Sequence, residues 1–156
     1  MLKPLLTALL FALPAAAQPV EDLPAPLQAA IETARADCAA FDNGTLDVPP
    51  EAITRTDLTG NGTTDMVLDL GQVHCSSAVT LYCGTGGCPV VFAVEETATE
   101  RLSKGWTVQR FAHLTVVLNQ VHGSACGGTN LTPCVEALVW DTEARRFTSL
   151  ADPGNP

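Results

Sequence analysis

The stretch LTVVLNQV (114–121), followed after a glycine-rich interval by VEALVW (135–140) and RFTSL (146–150), decides the fold. Residues 114–121 are rich in β-branched side chains, and Val116 and Leu118 share one face of the strand they predict. Val135–Trp140 reads as its pairing partner. Arg146–Leu150 closes a last hairpin across Thr142-Glu143-Ala144-Arg145. Upstream, Trp106 to Phe111 alternates, Ala78–Tyr82 and Pro89–Val94 flank the Cys83–Cys88 loop like a hairpin, Met66–Leu70 follows a Gly-rich turn, and Ala52–Thr56 is a short candidate. Short strands at regular spacing, separated by turn residues, predict an antiparallel sheet of meander type.

The segment before the strands has a different period. Leu27, Ile31, Ala34, Cys38 and Phe41 recur at steps of four and three, one apolar stripe on a helix that starts near Pro26 and stops at Asp42-Asn43-Gly44. An N-terminal helix packed on an antiparallel sheet gives an α+β fold. No internal repeat or second composition regime appears, so 27–150 reads as a single domain with a Pro-rich lead-in at 18–26 and a loose tail at 151–156.

Residues 1–17 read as a cleavable export signal: Lys3, an apolar run from Leu5 to Leu13, then Ala15-x-Ala17 before Gln18. The run is too short to span a bilayer, and no later stretch is long enough, so the mature chain is expected without a membrane span. Export places the protein in the periplasm or outside the cell. The whole chain carries a net charge of −9, and removal of Lys3 with the signal makes it −10. Such a surface repels nucleic-acid phosphates and anionic headgroups, and suits cations or a basic partner.

The six cysteines, Cys38, Cys75, Cys83, Cys88, Cys126 and Cys134, all follow the signal. In an oxidising compartment disulfides are the expectation, and no C-x-x-C or zinc spacing competes with it. Six cysteines allow 15 pairings. Spacing suggests Cys83 with Cys88 across Gly84-Thr85-Gly86-Gly87, and Cys126 with Cys134 across a second loop rich in Gly, Asn and Pro. Cys38 and Cys75 are left for a long-range bridge.

One segment carries metal chemistry. In Asp57-Leu58-Thr59-Gly60-Asn61-Gly62-Thr63-Thr64-Asp65, oxygen-bearing residues stand at positions 1, 3, 5, 7 and 9, and Gly at position 6 permits a sharp turn. A hard cation such as Ca²⁺ takes about 6–8 oxygens, and this register supplies them from Asp57, Thr59, Asn61, the Thr63 carbonyl and Asp65. Followed by a strand at 66–70, the loop resembles the calcium loops of FG-GAP and VCBS-type repeats, D-x-[DN]-x-[DN]-G-x-x-D. The resemblance implies Ca²⁺ ligation by Asp57, Asn61 and Asp65. Thr59 departs from the pattern, and a single copy does not build the propeller of those repeats. A β-turn held by Asp and Asn side chains is the competing reading. More broadly, the signal, the Gly-Asn-Gly loop, Cys83-Gly-Thr-Gly-Gly-Cys88 and Trp140-Asp141 resemble small exported bacterial proteins of uncharacterised function, which implies no activity.

His74, His113 and His122 stand near Ser76, Ser77 and Ser124, but no G-x-S-x-G elbow or spaced histidine pair occurs, so no catalytic residues are assigned. Three classes follow, in order. The first is a non-enzymatic binding module presenting loops 84–87 and 127–133 to a protein or small-molecule ligand. The second is a structural Ca²⁺ module built on 57–65. The third is a small hydrolase.

Overall fold

The computed structural model describes residues 23–150. The signal 1–17, most of the 18–26 lead-in and the tail 151–156 lie outside the described residues. Helix α1 spans Ala25–Ala40, with Pro26 in its first turn, where its missing N–H costs nothing. Leu27, Ile31, Ala34 and Cys38 are buried as the stripe predicts. Phe41 is not: it caps the helix in an extended conformation and is 51% exposed, because the helical period ends one residue before it. Asp42 and Asn43 then take positive φ, and Gly44 donates back to the Cys38 and Phe41 carbonyls. A Cβ at Gly44 would collide with Ser77 Oγ and Cys75 Sγ, so only glycine lets the chain turn this close to the Cys38–Cys75 bridge.

Ten strands follow: β1 (Leu46–Asp47), β2 (Ile53–Thr56), β3 (Asp65–Asp69), β4 (His74–Cys75), β5 (Cys88–Val94), β6 (Thr97–Ser103), β7 (Gly105–Phe111), β8 (Leu114–Gln120), β9 (Val135–Asp141) and β10 (Arg146–Ser149). The fold is α+β, with antiparallel strands and three disulfides. The strands form two four-stranded sheets rather than one: β2-β3-β5-β6 and β7-β8-β9-β10, with β1 and β4 paired as a short ribbon. Both four-stranded sheets are meanders.

β5 explains the second sheet. Its residues 90–94 are all buried, which a strand with one wet face cannot achieve. Val91 and Ala93 join Leu68 and Ala52 in a core against α1. Val90, Phe92 and Val94 join Val67 and Leu58 in a second core against Val117, Leu138 and Phe147 of the second sheet. Phe92 is 1% exposed and meets Trp106 and Phe147 edge-on at centroid distances of 5.6 and 5.9 Å. The layers therefore run helix, sheet, sheet.

The expected hairpin between 78–82 and 89–94 does not form. Ala78, Leu81 and Cys83 donate to the carbonyls of Cys75, Ala78 and Thr80, so the segment spends its backbone bonds on successive turns. β5 pairs instead with β6 across Glu95-Glu96, with Glu95 at φ 52°. The hairpins joining β8 to β9 and β9 to β10 form as expected.

Candidate functional site

The two meanders sort their connections to two ends. The loop 57–64, the turns at 95–96 and 112–113, and the hairpin 142–145 lie at one end. The segment 70–87, the link at Lys104 and the loop 121–134 lie at the other. Each end holds one of the features that the sequence singled out.

At the first end, 57–65 folds around Asp57. Its Oδ1 accepts from the amides of Thr59 at 3.2 Å and Gly60 at 2.6 Å, and its Oδ2 accepts from Gly62 at 3.0 Å. Gly60 and Gly62 have φ of 82° and 84°, the left-handed conformation such a turn requires. Asn61 Oδ1 accepts from both the amide and the hydroxyl of Thr63. Asp65, buried at the start of β3, accepts from Leu58 N at 2.9 Å, and Leu58 plugs the second core. Arg110 donates to the Asp57 carbonyl, tying the loop to β7.

The two carboxylates feel opposite environments. Burial works against ionisation of Asp57, but the bonds from Gly60, Gly62 and Thr59, with Arg110 nearby, lower its pKa overall. Burial raises that of Asp65, and the negative charge of Asp57 adds to the rise against the Leu58 bond. Of the five predicted ligands, Thr59 and Asn61 also line a cleft of about 310 Å³ with Glu95, Trp140, Thr142 and Arg145. The last four came from hairpins whose sequences read only as turn and strand. Among the described residues, no three side chains of His, Cys, Asp or Glu converge as a metal cluster. The donor set of 57–65 is instead mixed: two carboxylates, an amide, hydroxyls and a carbonyl. Asp57 Oδ1 and Asn61 Oδ1 each already accept at least two bonds within the loop, which leaves Asp57 Oδ2 and the Asp65 carboxylate with lone pairs to offer, a set compatible only with a weakly held hard cation.

At the opposite end the bridges are Cys38–Cys75, Cys83–Cys88 and Cys126–Cys134, the pairs that loop spacing suggests. The two short bridges close loops that flank the single-residue link between β6 and β7. Gly84 and Gly87 bond each other in a tight turn set against Ser103 and Leu102. Lys104 Nζ donates to the Asn130 carbonyl at 2.9 Å and to its side-chain oxygen. Beneath the Cys126–Cys134 bridge lies a cleft of about 250 Å³, lined by Val121, Ala125, both cysteines, Val135, Glu136 and Ser149. Leu131 in this loop is 90% exposed.

The histidines are scattered. His74 and His113 are exposed on β4 and in the β7–β8 turn. His122 Nδ1 contacts Ser124 Oγ at 2.8 Å and also accepts from Ser124 N, the geometry of a local cap on the turn at 123–126. A triad would need an acid orienting the other ring nitrogen, and among the described residues no carboxylate bonds it. No helix among the described residues is long and apolar enough to cross a membrane, and three intramolecular disulfides fit an oxidising compartment. No protein-family model, curated protein or solved structure matches this chain.

Proposed function

We propose that the protein is an exported, non-enzymatic binding module that engages a protein or small-molecule ligand through its disulfide-closed loops. The observation that carries this reading is their juxtaposition: loops 84–87 and 127–133, distant in sequence, flank one corner and are joined through Lys104 and Asn130. Short bridges restrict each loop before any ligand arrives, which lowers the ordering cost of binding. The mostly apolar cleft beneath Cys126–Cys134, with Glu136 and Ser149 as its polar groups, has the composition of a ligand site. The test immobilises residues 18–156 and identifies captured molecules from a periplasmic or culture extract by mass spectrometry. Capture should be lost in Leu131→Asp and kept in Thr142→Lys at the opposite end. Capture lost in both variants or in neither refutes the loop assignment.

A second reading, weak structural Ca²⁺ binding at 57–65, is favoured by a loop that folds onto both Asp57 and Asp65, with the Asp57 charge acting on the buried Asp65 carboxyl, an effect a cation would offset. With a dissociation constant of about 10⁻⁴–10⁻³ M, roughly 5 mM Ca²⁺ would stabilise the fold by about 1–2 kcal/mol. The expected result is a rise in melting temperature over EGTA that Asp57→Ala and Asp65→Ala each abolish. An unchanged wild-type melting temperature refutes it.

A further inference from the structure

Helix α1 leaves one strand of the first sheet bare. A helix about 10 Å across cannot cover four strands whose outer members stand about 14 Å apart. It packs on Ala52, Leu68, Val91 and Ala93. Ala98, Glu100 and Leu102 of β6 are in register with Ala93, Val91 and Pro89 of β5, so they share the helix-side face, and all three are exposed. A groove of about 250 Å³ lies between α1 and this strand. Its helical wall is Ala30, Thr33, Ala34 and Asp37, one stripe that runs for about 10 Å. Leu70, Tyr82, Pro89 and Glu100 complete the lining. The Tyr82 hydroxyl donates to the Ala34 carbonyl at 2.6 Å, which fixes the ring against the helix.

The charge of the groove is uncompensated. Asp37 and Glu100 are its two acidic groups, and among the described residues neither forms an ion pair. The arginines beside them in sequence are engaged elsewhere. Arg35 pairs with Glu32 at 3.3 Å, and Arg101, on the other face of β6, reaches Glu136 at 3.9 Å. Burial raises the Tyr82 pKa and the negative charge of Asp37 adds to the rise, so Asp37 stands near the ring. Residues 23–103 carry eleven Asp and Glu against Arg35, Arg55 and Arg101, a net −8, and the field around the groove favours cations.

We propose that this groove is a docking site for one lysine or arginine side chain of a basic partner protein. Such a side chain has the matching chemistry: an apolar stem and a cationic head. The stem lies against Ala30, Leu70, Pro89 and Tyr82, and the head meets Asp37 and Glu100, which have no cation of their own. The volume suits one long side chain and falls below the roughly 300–1,000 Å³ of small-molecule pockets. Leu102, 55% exposed and in register with Pro89, offers an apolar shelf to the residues that flank the inserted side chain. A free amine has nothing to place on that shelf, which is why a polypeptide is the occupant. The site is separate from the cleft beneath Cys126–Cys134 and does not depend on it.

An NMR titration of ¹⁵N-labelled residues 18–156 tests the proposal. The probe is a short Gly/Ala peptide with a single central lysine, and the control is the same peptide with that lysine acetylated. Amide shifts should appear along 30–37 and at Leu70, Tyr82 and Glu100, with a dissociation constant on the order of 1 mM. Acetylation should abolish them. Asp37→Asn and Glu100→Gln, both at exposed positions, should each weaken binding about three-fold. Glu96→Gln makes the same change in net charge outside the groove and should leave binding unchanged, as should Leu131→Asp, so this test stands or falls apart from the loop reading. Leu102→Ser should weaken the peptide but not butylamine, which should bind less tightly than the peptide. No shifts at about 10 mM peptide overturn the proposal. So does an equal loss in Glu96→Gln and Glu100→Gln, the mark of diffuse attraction, and so does butylamine that binds as tightly as the peptide.

Discussion

Replacing Cys38 and Cys75 together by alanine should cost more than removing either other bridge. The separations closed are 37, 8 and 5 residues for Cys38–Cys75, Cys126–Cys134 and Cys83–Cys88. In the chain-entropy model these restrict the denatured chain by about 3.8, 2.5 and 2.1 kcal/mol. Cys38 and Cys75 are also both buried in the helix core, whereas each shorter bridge has at least one cysteine that is not buried. Deleting two core sulfurs adds roughly 0.5–1.5 kcal/mol each, taking the expected loss to about 5–7 kcal/mol. Against a total of about 5–15 kcal/mol, this leaves a marginal domain. Urea unfolding of the three paired-alanine variants, with mass spectrometry to verify the remaining bridges, measures the ranking. The denaturant slope should also rise most for Cys38→Ala/Cys75→Ala, since its denatured state expands most. If that variant is not the least stable of the three, the long bridge does not secure α1 to the β1–β4 ribbon and the reasoning fails.

Phe92→Ala should cost about 3–5 kcal/mol, read as a fall in urea midpoint, because the ring lies between Trp106 and Phe147 with no room for either to collapse into its place. Asp65→Asn should change the pH dependence of stability measured in EGTA. Protonated Asp65 contributes stability that is fully present below its ordinary 3.8 and is lost as pH rises through the raised folded value. The amide keeps the Leu58 bond without a charge. The variant should therefore match the wild type at low pH and exceed it at pH 7, and a less stable variant at pH 7 would contradict the burial argument. Arg145→Ala should shift stability by less than about 1 kcal/mol, because its bond to Glu95 joins two exposed side chains; a larger loss in thermal unfolding would mean that the pair anchors the hairpin.

The helix was legible because its stripe is one-sided and its stop signal is local: Asp42, Asn43 and Gly44 turn the chain whatever surrounds them. The last three strands were legible because each meets the next through a short connection or a bridge. Two errors share a cause. Ala78–Tyr82 has strand-like composition, yet satisfies its backbone in turns and leaves Val79 exposed. Thr97–Ser103 is mostly polar and went unread, yet forms a full strand whose Thr99 and Ser103 face inward. In both places a long-range partner decided the outcome: β5 had β6 available across a two-residue turn, which left nothing for 78–82 to pair with. The pattern of 57–65 revealed the loop and its residues but not its neighbours. Glu95, Trp140, Thr142 and Arg145 reach that cleft from hairpins whose placement depends on how the sheets stack.

β5 offers its two sides unequal bulk. Val91 and Ala93 meet a helix whose own contacts include Ala30 and Ala34, whereas Val90, Phe92 and Val94 fill the wider gap between sheets. A slip of one residue along β3 would drive Phe92 into the narrow helical side and leave Ala93 facing Trp106 across an empty space. Misalignment is thus penalised twice, by a clash in one layer and a void in the other. The central strand acts as a gauge that only one alignment passes.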